Sequence, residues 1–532
     1  MTMRRALPLL IAALAIQLAL TLPGAAMRPT PELPLLLLAL VLGGGMARLP
    51  VAAALTLLAV QKLADLGMVA ALGRPFNIAA DLPLLDAAVR LLAGSFGGLA
   101  GLGAVLAAAL AALGIGGALW WATGLWTRPA TGRRAGIALA AAVGLALLPA
   151  MTPRLENLRY ASQRAGLAAA TVAALRDFRA AAAQDPMAER PGLLGAIDRD
   201  VLVIFVESYG RASFATPLYA ETHRATLRRA EADLARAGLA MRSGYLVSPT
   251  QGGQSWLAHA TFASGLWIGD QALYQAMLAS GRQGLFHHAR RAGFRTAAVM
   301  PAITRPWPEA AQMGFDRILA APDLGYRGPP FNWVTMPDQF TLAAADRLLR
   351  GQDGAPLFAQ VALISSHAPW VPVPRLIGWD EVGDGSAFAA MAAAGESPQE
   401  VWRDRDNIRR HYRDAIDYAL QTVIAYALRH ADEPPLILVL GDHEAAQGIA
   451  PDGGRDVPMH VIGPAALVER SAAWGFAPGL VPPPDSAAIP MDRMRDLILQ
   501  GFAAPGIAPM ERPAAQGRSS PSPTTTRTEV PS

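Results

Sequence analysis

Two apolar runs in this chain end abruptly on side chains that bind metal ions. Residues 434–443 read PPLILVLGDH and close on Asp442 and His443; an earlier run, VLVIFVES from Val201, closes on Glu207. A strand buried on both faces has this composition, and ligands in open α/β sheets gather where such strands end. Between them lies SPTQGGQSWLAHATFASG, in which a Gly-Gly-Gln turn precedes Ser255 and a helix is expected to begin. A hydroxyl at a helix amino terminus meets backbone N–H donors and a favourable dipole, which suits an attacking oxygen and an anionic substrate. A fourth segment, LISSHAPW, leaves a strand and offers His367. Two carboxylates, an imidazole and a hydroxyl form an oxygen/nitrogen set without thiolate. It suits one divalent ion, manganese or zinc, and magnesium less well because of the histidine. Such an ion lowers the pKa of a serine hydroxyl and neutralises charge on a phosphoryl oxygen, leaving His367 to bind the phosphate or protonate a leaving group.

Positioning these residues takes a sheet covered on both faces. From Asp198 strand-like and helix-like stretches alternate, with strands expected at Val201–Val206, Met241–Val247, Thr296–Met300, Phe358–Ile364, Leu436–Leu440 and His460–Ile462. Amphipathic segments Gln271–Arg291 and Asn407–His430 read as covering helices. The chain shows no internal repeat. Residues 198–509 are thus expected to form the catalytic α/β domain, with a mainly parallel sheet sandwiched by helices. Residues 153–197 read as a helical connector, and 510–532, rich in Pro, Ser and Thr, as an unfolded tail.

The first part is of another kind. At 532 residues the chain exceeds one compact core, and residues 1–152 are dominated by Ala, Leu, Gly and Val. Several stretches approach the roughly 20 apolar residues that cross a bilayer. Spans are expected at Ala6–Met27, Leu33–Arg48, Val51–Leu72, Phe96–Thr123 and Ala135–Met151, an α-helical transmembrane bundle of five. Arg4 and Arg5, Arg48, and Arg128 with Arg133 and Arg134 then share the cytoplasmic side, which places everything after Pro153 outside; Arg28 and Arg74 run against this rule. The first span has no small-residue cleavage site and reads as an anchor. Lys62, the sole lysine, lies one helical turn from Asp65, and both are expected to snorkel to the outer interface. LPLLDAAVRLLAG from Leu82 reads as an interfacial helix. A net charge of +4 over this length suggests no nucleic-acid partner, and the absence of cysteine fits an outer domain large enough to need no disulfide.

Taken together, the glutamate ending the first strand, the hydroxyl after a glycine turn, the Ser-His-x-Pro-aromatic segment and the late Gly-Asp-His resemble the sulfatase-like branch of the alkaline phosphatase superfamily. With the preceding spans, the chain resembles lipoteichoic acid synthases and related membrane phosphoglycerol transferases. The resemblance implies an alkaline phosphatase-like fold, with Glu207, Ser255, Asp442 and His443 as metal ligands. It also implies that Ser255 is the modified nucleophile and that His367 contacts substrate. The synthases carry threonine where Ser255 stands; Thr250 is the alternative hydroxyl. They also carry Trp-x-Arg in the segment matching RPWPEAAQMGFD, where Trp307 is followed by Pro308 and Glu309, so Trp307 and Arg305 are the candidate head-group contacts. His460 is a further candidate for substrate binding. No C/S-x-P-x-R setting for formylglycine surrounds Ser255, unlike a true sulfatase, and the cysteines usual in phosphoethanolamine transferases are missing.

The remaining histidines and aromatics have plainer readings. Trp256 and His259 are expected to pack, His287 and His288 to form a solvated face, and Asp338 to cap a helix. The expected activity is a metal-dependent phosphotransferase at the periplasmic or extracellular face of a bacterial-type plasma membrane. It would move a phosphoglycerol-like head group from a phospholipid donor to an envelope glycan or lipid acceptor through phospho-Ser255. A phosphodiesterase or phosphatase using the same intermediate is the first alternative, and a non-catalytic lipid-binding sensor the second.

Overall fold

The computed structural model describes residues 3–23, 30–72, 74–82, 85, 88–89, 98–127, 155–351, 354–451 and 454–507. The fifth expected span with its flanking arginines, most of the segment from Leu82 to Gly94, and the tail from Met510 lie outside these residues.

Among the described residues, the amino-terminal part has four long helices: α1 (Met3–Thr21), α2 (Glu32–Leu72), α3 (Gly98–Trp126) and α4 (Glu156–Ala183). Two of them contain stretches, Glu32–Ala70 and Gly101–Trp126, long and apolar enough to cross a membrane. The second and third expected spans are both inside α2, which is broken at Gly44 (φ 53°, ψ −138°). Glu32 Oε1 accepts the Asn157 amide at 2.9 Å, and Lys62 Nζ donates to Asn157 Oδ1 at 2.6 Å. A straight helix would hold Glu32 and Lys62 about 45 Å apart, so α2 folds back on itself. Arg48, near the bend, donates to the Trp120 carbonyl and lies over its indole. Lys62 does not turn to Asp65: it also donates to the Leu20 carbonyl, while Asp65 takes Tyr160 and Arg164. Both groups are buried and fasten α4 to the bundle, in place of the expected snorkelling.

The sheet has nine strands: β1 (Val201–Val206), β2 (Ala240–Val247), β3 (Arg295–Met300), β4 (Arg317–Ala320), β5 (Leu357–Leu363), β6 (Leu436–Gly441), β7 (Asp456–Gly463), β8 (Ala477–Pro478) and β9 (Ile489–Pro490). Their order is β4-β3-β5-β1-β6-β7-β2-β8, with β9 beside β2. The block from β4 to β6 is parallel, whereas β7 is antiparallel to both β6 and β2. Side chains of β1 alternate between two cores: Leu202, Ile204 and Val206 join one, and Val201, Val203 and Phe205 the other. Each such aliphatic side chain contributes about 1.5–3 kcal/mol by leaving water. That two-sided burial is why β1 and β6 read as unbroken apolar runs.

Register decides what the strand ends bring together. Val206 is paired with Leu363 on one side and Gly441 on the other. The residues that follow (Glu207, Ile364 and Asp442) therefore emerge side by side along one sheet edge.

Several expectations need correction. The segment Gln271–Arg291 is two helices, Gln271–Leu278 and Leu285–Arg291, because the chain turns through Gly281 at φ 67°. His288 is buried and accepts from Arg291, so it does not belong to a solvated face. The short strands β4, β8 and β9 were not expected. The connector also joins the domain core, through Phe178, Ala182, Met187 and Leu194.

Candidate metal centre and nucleophile

The centre is built from the ends of β1 and β6 and from the turn before the helix Ser255–Ser264. Gly441 sets up the β6 end. A Cβ there would lie 1.8 Å from the Tyr209 carbonyl oxygen, so only glycine lets the chain leaving β1 pass so close. Asp442 Oδ1 then accepts the amides of Ser208 (2.9 Å) and His443 (2.7 Å), which leaves Oδ2 for the centre. Ser208 itself is left-handed at φ 58°, and Tyr412 donates to its carbonyl at 2.8 Å. Glu444, the last residue of GDHE, accepts the amides of Ala212 and Ala445 from a buried position and locks the same loops.

Ser255 opens its helix after three residues of positive φ: Gly252 (73°), Gly253 (143°) and Gln254 (65°). Gly253 occupies a region open to glycine alone. The turn is pinned by the Gly252 amide on the Glu444 carbonyl (2.8 Å) and by the Thr250 hydroxyl on the Gly253 carbonyl (2.6 Å). That second bond occupies Thr250, and it is Ser255 whose Oγ lies 2.9 Å from Glu207 Oε2 and 3.2 Å from His443 Nε2.

Glu207, Asp442 and His443 are all buried, and each offers a ligand atom within 4.8 Å of the others. His443 Nε2 lies 3.1 Å from Glu207 Oε1 and 3.8 Å from Asp442 Oδ2. Its Nδ1 faces the Glu444 carbonyl at 3.0 Å, and this bond turns Nε2 into the cluster as metal-ligating histidines require. Burial, and then the Glu207 charge, lifts Asp442 to about 7. Burial pulls His443 down, but the charges of Asp442 and Glu207 reverse this and raise it to about 10. Burial likewise opposes the Glu207 charge, yet His443, and after it His367, hold this carboxyl well below the usual range. Two carboxylates packed around a single imidazole make a pocket of negative potential that a divalent cation would fill, so the donor set fits one.

His367 follows β5 on the adjoining strand end. The Ser366 hydroxyl donates to the Glu207 carbonyl at 2.6 Å, tying this loop to the centre. His367 Nδ1 is 2.7 Å from the Ala368 carbonyl, and the imidazole stacks on Trp333 at 3.9 Å between centroids and 18° between planes. Trp333 was missed from the sequence; it comes from a tight turn closed by the Phe331–Val334 bridge, with Asn332 left-handed. Asp338 was read as a helix cap, but its Oδ1 accepts the amides of Ile364 and Ser365 and so shapes the His367 loop.

The other candidates are placed differently. His460 is buried, with Nε2 3.0 Å from the Tyr209 hydroxyl and Nδ1 2.7 Å from Ser243 Oγ, and burial pushes it down to about 3. Both ring nitrogens are engaged, so it is a neutral core group with no atom left for substrate. Trp307 packs half-buried against the core of the Ser255 helix, and Arg305 is exposed on the same connection. Among the described contacts, neither reaches Glu207, Ser255, Asp442 or His443. Trp256 donates to Gln271 and His259 packs tilted against Phe205, both packing as expected.

No curated protein sequence matches this chain. Among solved structures, it is similar to the integral membrane lipooligosaccharide phosphoethanolamine transferase A of Neisseria meningitidis at 15% identity, covering 94% of this chain and 95% of that one with a TM-score of 0.47. It is also similar to the lipoteichoic acid synthase LtaP of Listeria monocytogenes (14% identity, 54% and 70% covered, TM-score 0.37). A third is the Streptococcus pyogenes phosphoglycerol transferase GacH, solved with sn-glycerol-1-phosphate (11% identity, 62% and 91% covered, TM-score 0.36). The Sulfatase family model matches residues 199–472, just over half of the chain. That match takes in the strand ending on Glu207, the turn presenting Ser255 and the strand ending on Asp442: this chain belongs to the sulfatase family of the alkaline phosphatase superfamily.

Proposed function

We propose that this protein is a membrane-anchored phosphotransferase that moves a phosphoglycerol-like head group from a phospholipid to an envelope glycan or lipid. One observation carries the choice of transfer over hydrolysis: the nucleophile turn lies against the membrane-anchored part. Leu72, at the end of α2, is 3.7 Å from where a Cβ on Gly253 would stand. A nucleophile held there meets lipid donors at high effective concentration.

In this reading Glu207, Ser255, Asp442 and His443 hold one manganese or zinc ion. Bound there, the ion supplies Lewis-acid stabilisation of the Ser255 alkoxide and of the phosphoryl oxygens. Ser255 Oγ, its proton released to solvent as the donor binds, attacks phosphorus as an alkoxide; the Oγ–P bond forms and the bond to the diacylglycerol oxygen breaks. His367 Nε2, left free by the Nδ1 bond to Ala368, protonates that oxygen. An acceptor hydroxyl then attacks the phosphorus of phospho-Ser255 and gives its proton to His367; the acceptor O–P bond forms, the Oγ–P bond breaks, and Ser255 leaves as the alkoxide that began the cycle.

Residues 1–152 form the anchor in this reading, with five spans once Ala135–Met151 is counted. Residues 153–197 connect it to a catalytic domain of 198–509, which faces the periplasm or cell exterior. Product analysis with a phosphatidylglycerol donor tests the reading. Diacylglycerol should appear with a head-group-modified acceptor, and S255A should make neither. Free glycerol phosphate as the only fate of the head group beside diacylglycerol, with or without an alcohol acceptor, would make the enzyme a hydrolase.

A further inference from the structure

Gln254 stands immediately before Ser255 in a left-handed conformation (φ 65°) that a glutamine rarely adopts. Its side chain is buried, and the two ends of the carboxamide are treated differently. Oε1 accepts from Arg74 Nη2 at 3.4 Å, across 180 residues of sequence. Nε2 is buried and has no partner among the described residues. A buried amide donor without an acceptor is costly unless a ligand supplies one.

Arg74 belongs to the connection that follows α2, in the membrane-anchored part. It is not free to bind an anion itself: Nη1 donates to Oδ2 and Nη2 to Oδ1 of the buried Asp81, both at 2.8 Å. Asp81 Oδ2 also accepts the Asn77 amide at 2.8 Å. The guanidinium is thus fixed as a rigid donor, and among the described residues the group it holds outside its own segment is the Gln254 carbonyl oxygen. With that oxygen turned to Arg74, the carboxamide NH2 is directed away from it, one residue from the nucleophile.

We infer that Gln254 Nε2 donates a hydrogen bond to a non-bridging oxygen of the phosphodiester that Ser255 attacks, and that Arg74 is the positioning residue that aims it. The ligand is the phosphoryl group itself, as a lipid or a soluble diester. A donor fixed before the reaction starts stabilises the charge that builds on that oxygen as the Oγ–P bond forms. The membrane-anchored part then completes the active site, in addition to tethering it. The inference rests on Ser255 being the nucleophile.

The test uses the full-length chain in nanodiscs with manganese and bis(p-nitrophenyl) phosphate, a soluble diester, so that lipid access does not enter. Q254M keeps side-chain length without a donor and should lower kcat by about 10²-fold with KM changed less than about threefold. R74A should lower kcat by about tenfold, R74K should recover part of this, and R74A/Q254M should be no slower than Q254M alone, because Arg74 acts only through Gln254. Metal content should match the unmodified protein in every variant, and so should the thermal midpoint of Q254M; R74A strands the buried Asp81 carboxylate and should melt lower while remaining folded at the assay temperature. A Q254M kcat within about threefold of normal, beside an inactive S255A, overturns this inference and leaves the proposed function standing. Losses that multiply in the double variant overturn the positioning role. If S255A is itself active, the proposed function fails instead. Should Q254M lose its metal, an unchanged kcat in a folded R74A overturns the inference on its own.

Discussion

Ser255, Glu207, Asp442 and His443 share one small volume, and their charges cannot all stand there unaccompanied. With only the protein's own groups present, His443 is raised to about 10 and Asp442 to about 7. The imidazole therefore carries a proton at neutral pH, which an incoming ion must displace, along with any proton on Asp442. Metal affinity should rise between about pH 6 and 9, by up to about tenfold per unit for each proton released. Calorimetry in two buffers of unlike ionisation enthalpy counts those protons. About one should leave at pH 8; none would mean that His443 is not a ligand. Stripping the ion should also lower the thermal midpoint, and at 100 times Kd the ion is worth about 2.7 kcal/mol.

Strands and loops convert these side chains into a site, and Asp338 shows how. Burial lifts its carboxyl to about 6 against the opposing hydrogen bonds from the 364–365 segment. A raised carboxyl binds more protons folded than unfolded between its unfolded value near 4 and about 6, so its charge destabilises the fold progressively as pH rises through that window. D338N keeps an acceptor for the Ile364 and Ser365 amides and removes the buried charge. It should match the unmodified protein near pH 4 and exceed it above pH 6 by up to about 3 kcal/mol, read from urea midpoints. D338A, which loses the acceptor, should be less stable at every pH. A D338N variant that is worse at pH 8 than at pH 5 would contradict the assignment.

The same elements explain what was legible in the sequence. β1 and β6 are buried on both faces, so each is an unbroken apolar run, and the polar residue ending each run was visible at once. Ser255 was visible through the glycines that its turn requires. His460 was misread because its strand was recognised but its partners were not: β7 lies beside β2, and Ser243 opposite His460 is what captures the imidazole. Trp333 and Asp338 act across loops far apart in sequence, and no periodicity marks such contacts. The edge strands β4, β8 and β9 are too short to stand out. The contact of Arg74 with Gln254 joins the two dissimilar parts of the chain and has no local signature at all.

At the scale of the molecule, α2 folds back near Arg48 and sends Glu32 and Lys62 to the end where α4 and the α/β domain begin. Arg48 and the α/β domain thus lie at opposite ends of the bundle, as the charge pattern requires if the domain faces outward. The chain has no cysteine, so single cysteines can report this directly. G45C, at the open bend, should react with an impermeant maleimide only after permeabilisation, and Q399C, exposed on the α/β domain, should react in intact cells. Equal labelling of both in intact cells would refute the orientation.

The most direct measurement is peptide mass spectrometry of the full-length protein, quenched in acid during turnover of a phosphatidylglycerol donor with manganese. Ser255 should carry the mass of a glycerol phosphate ester, and the adduct should be absent after E207A or after metal removal. A peptide 250–264 that stays unmodified while product accumulates, or an adduct on Thr250 in its place, would contradict the assignment of Ser255 as the nucleophile.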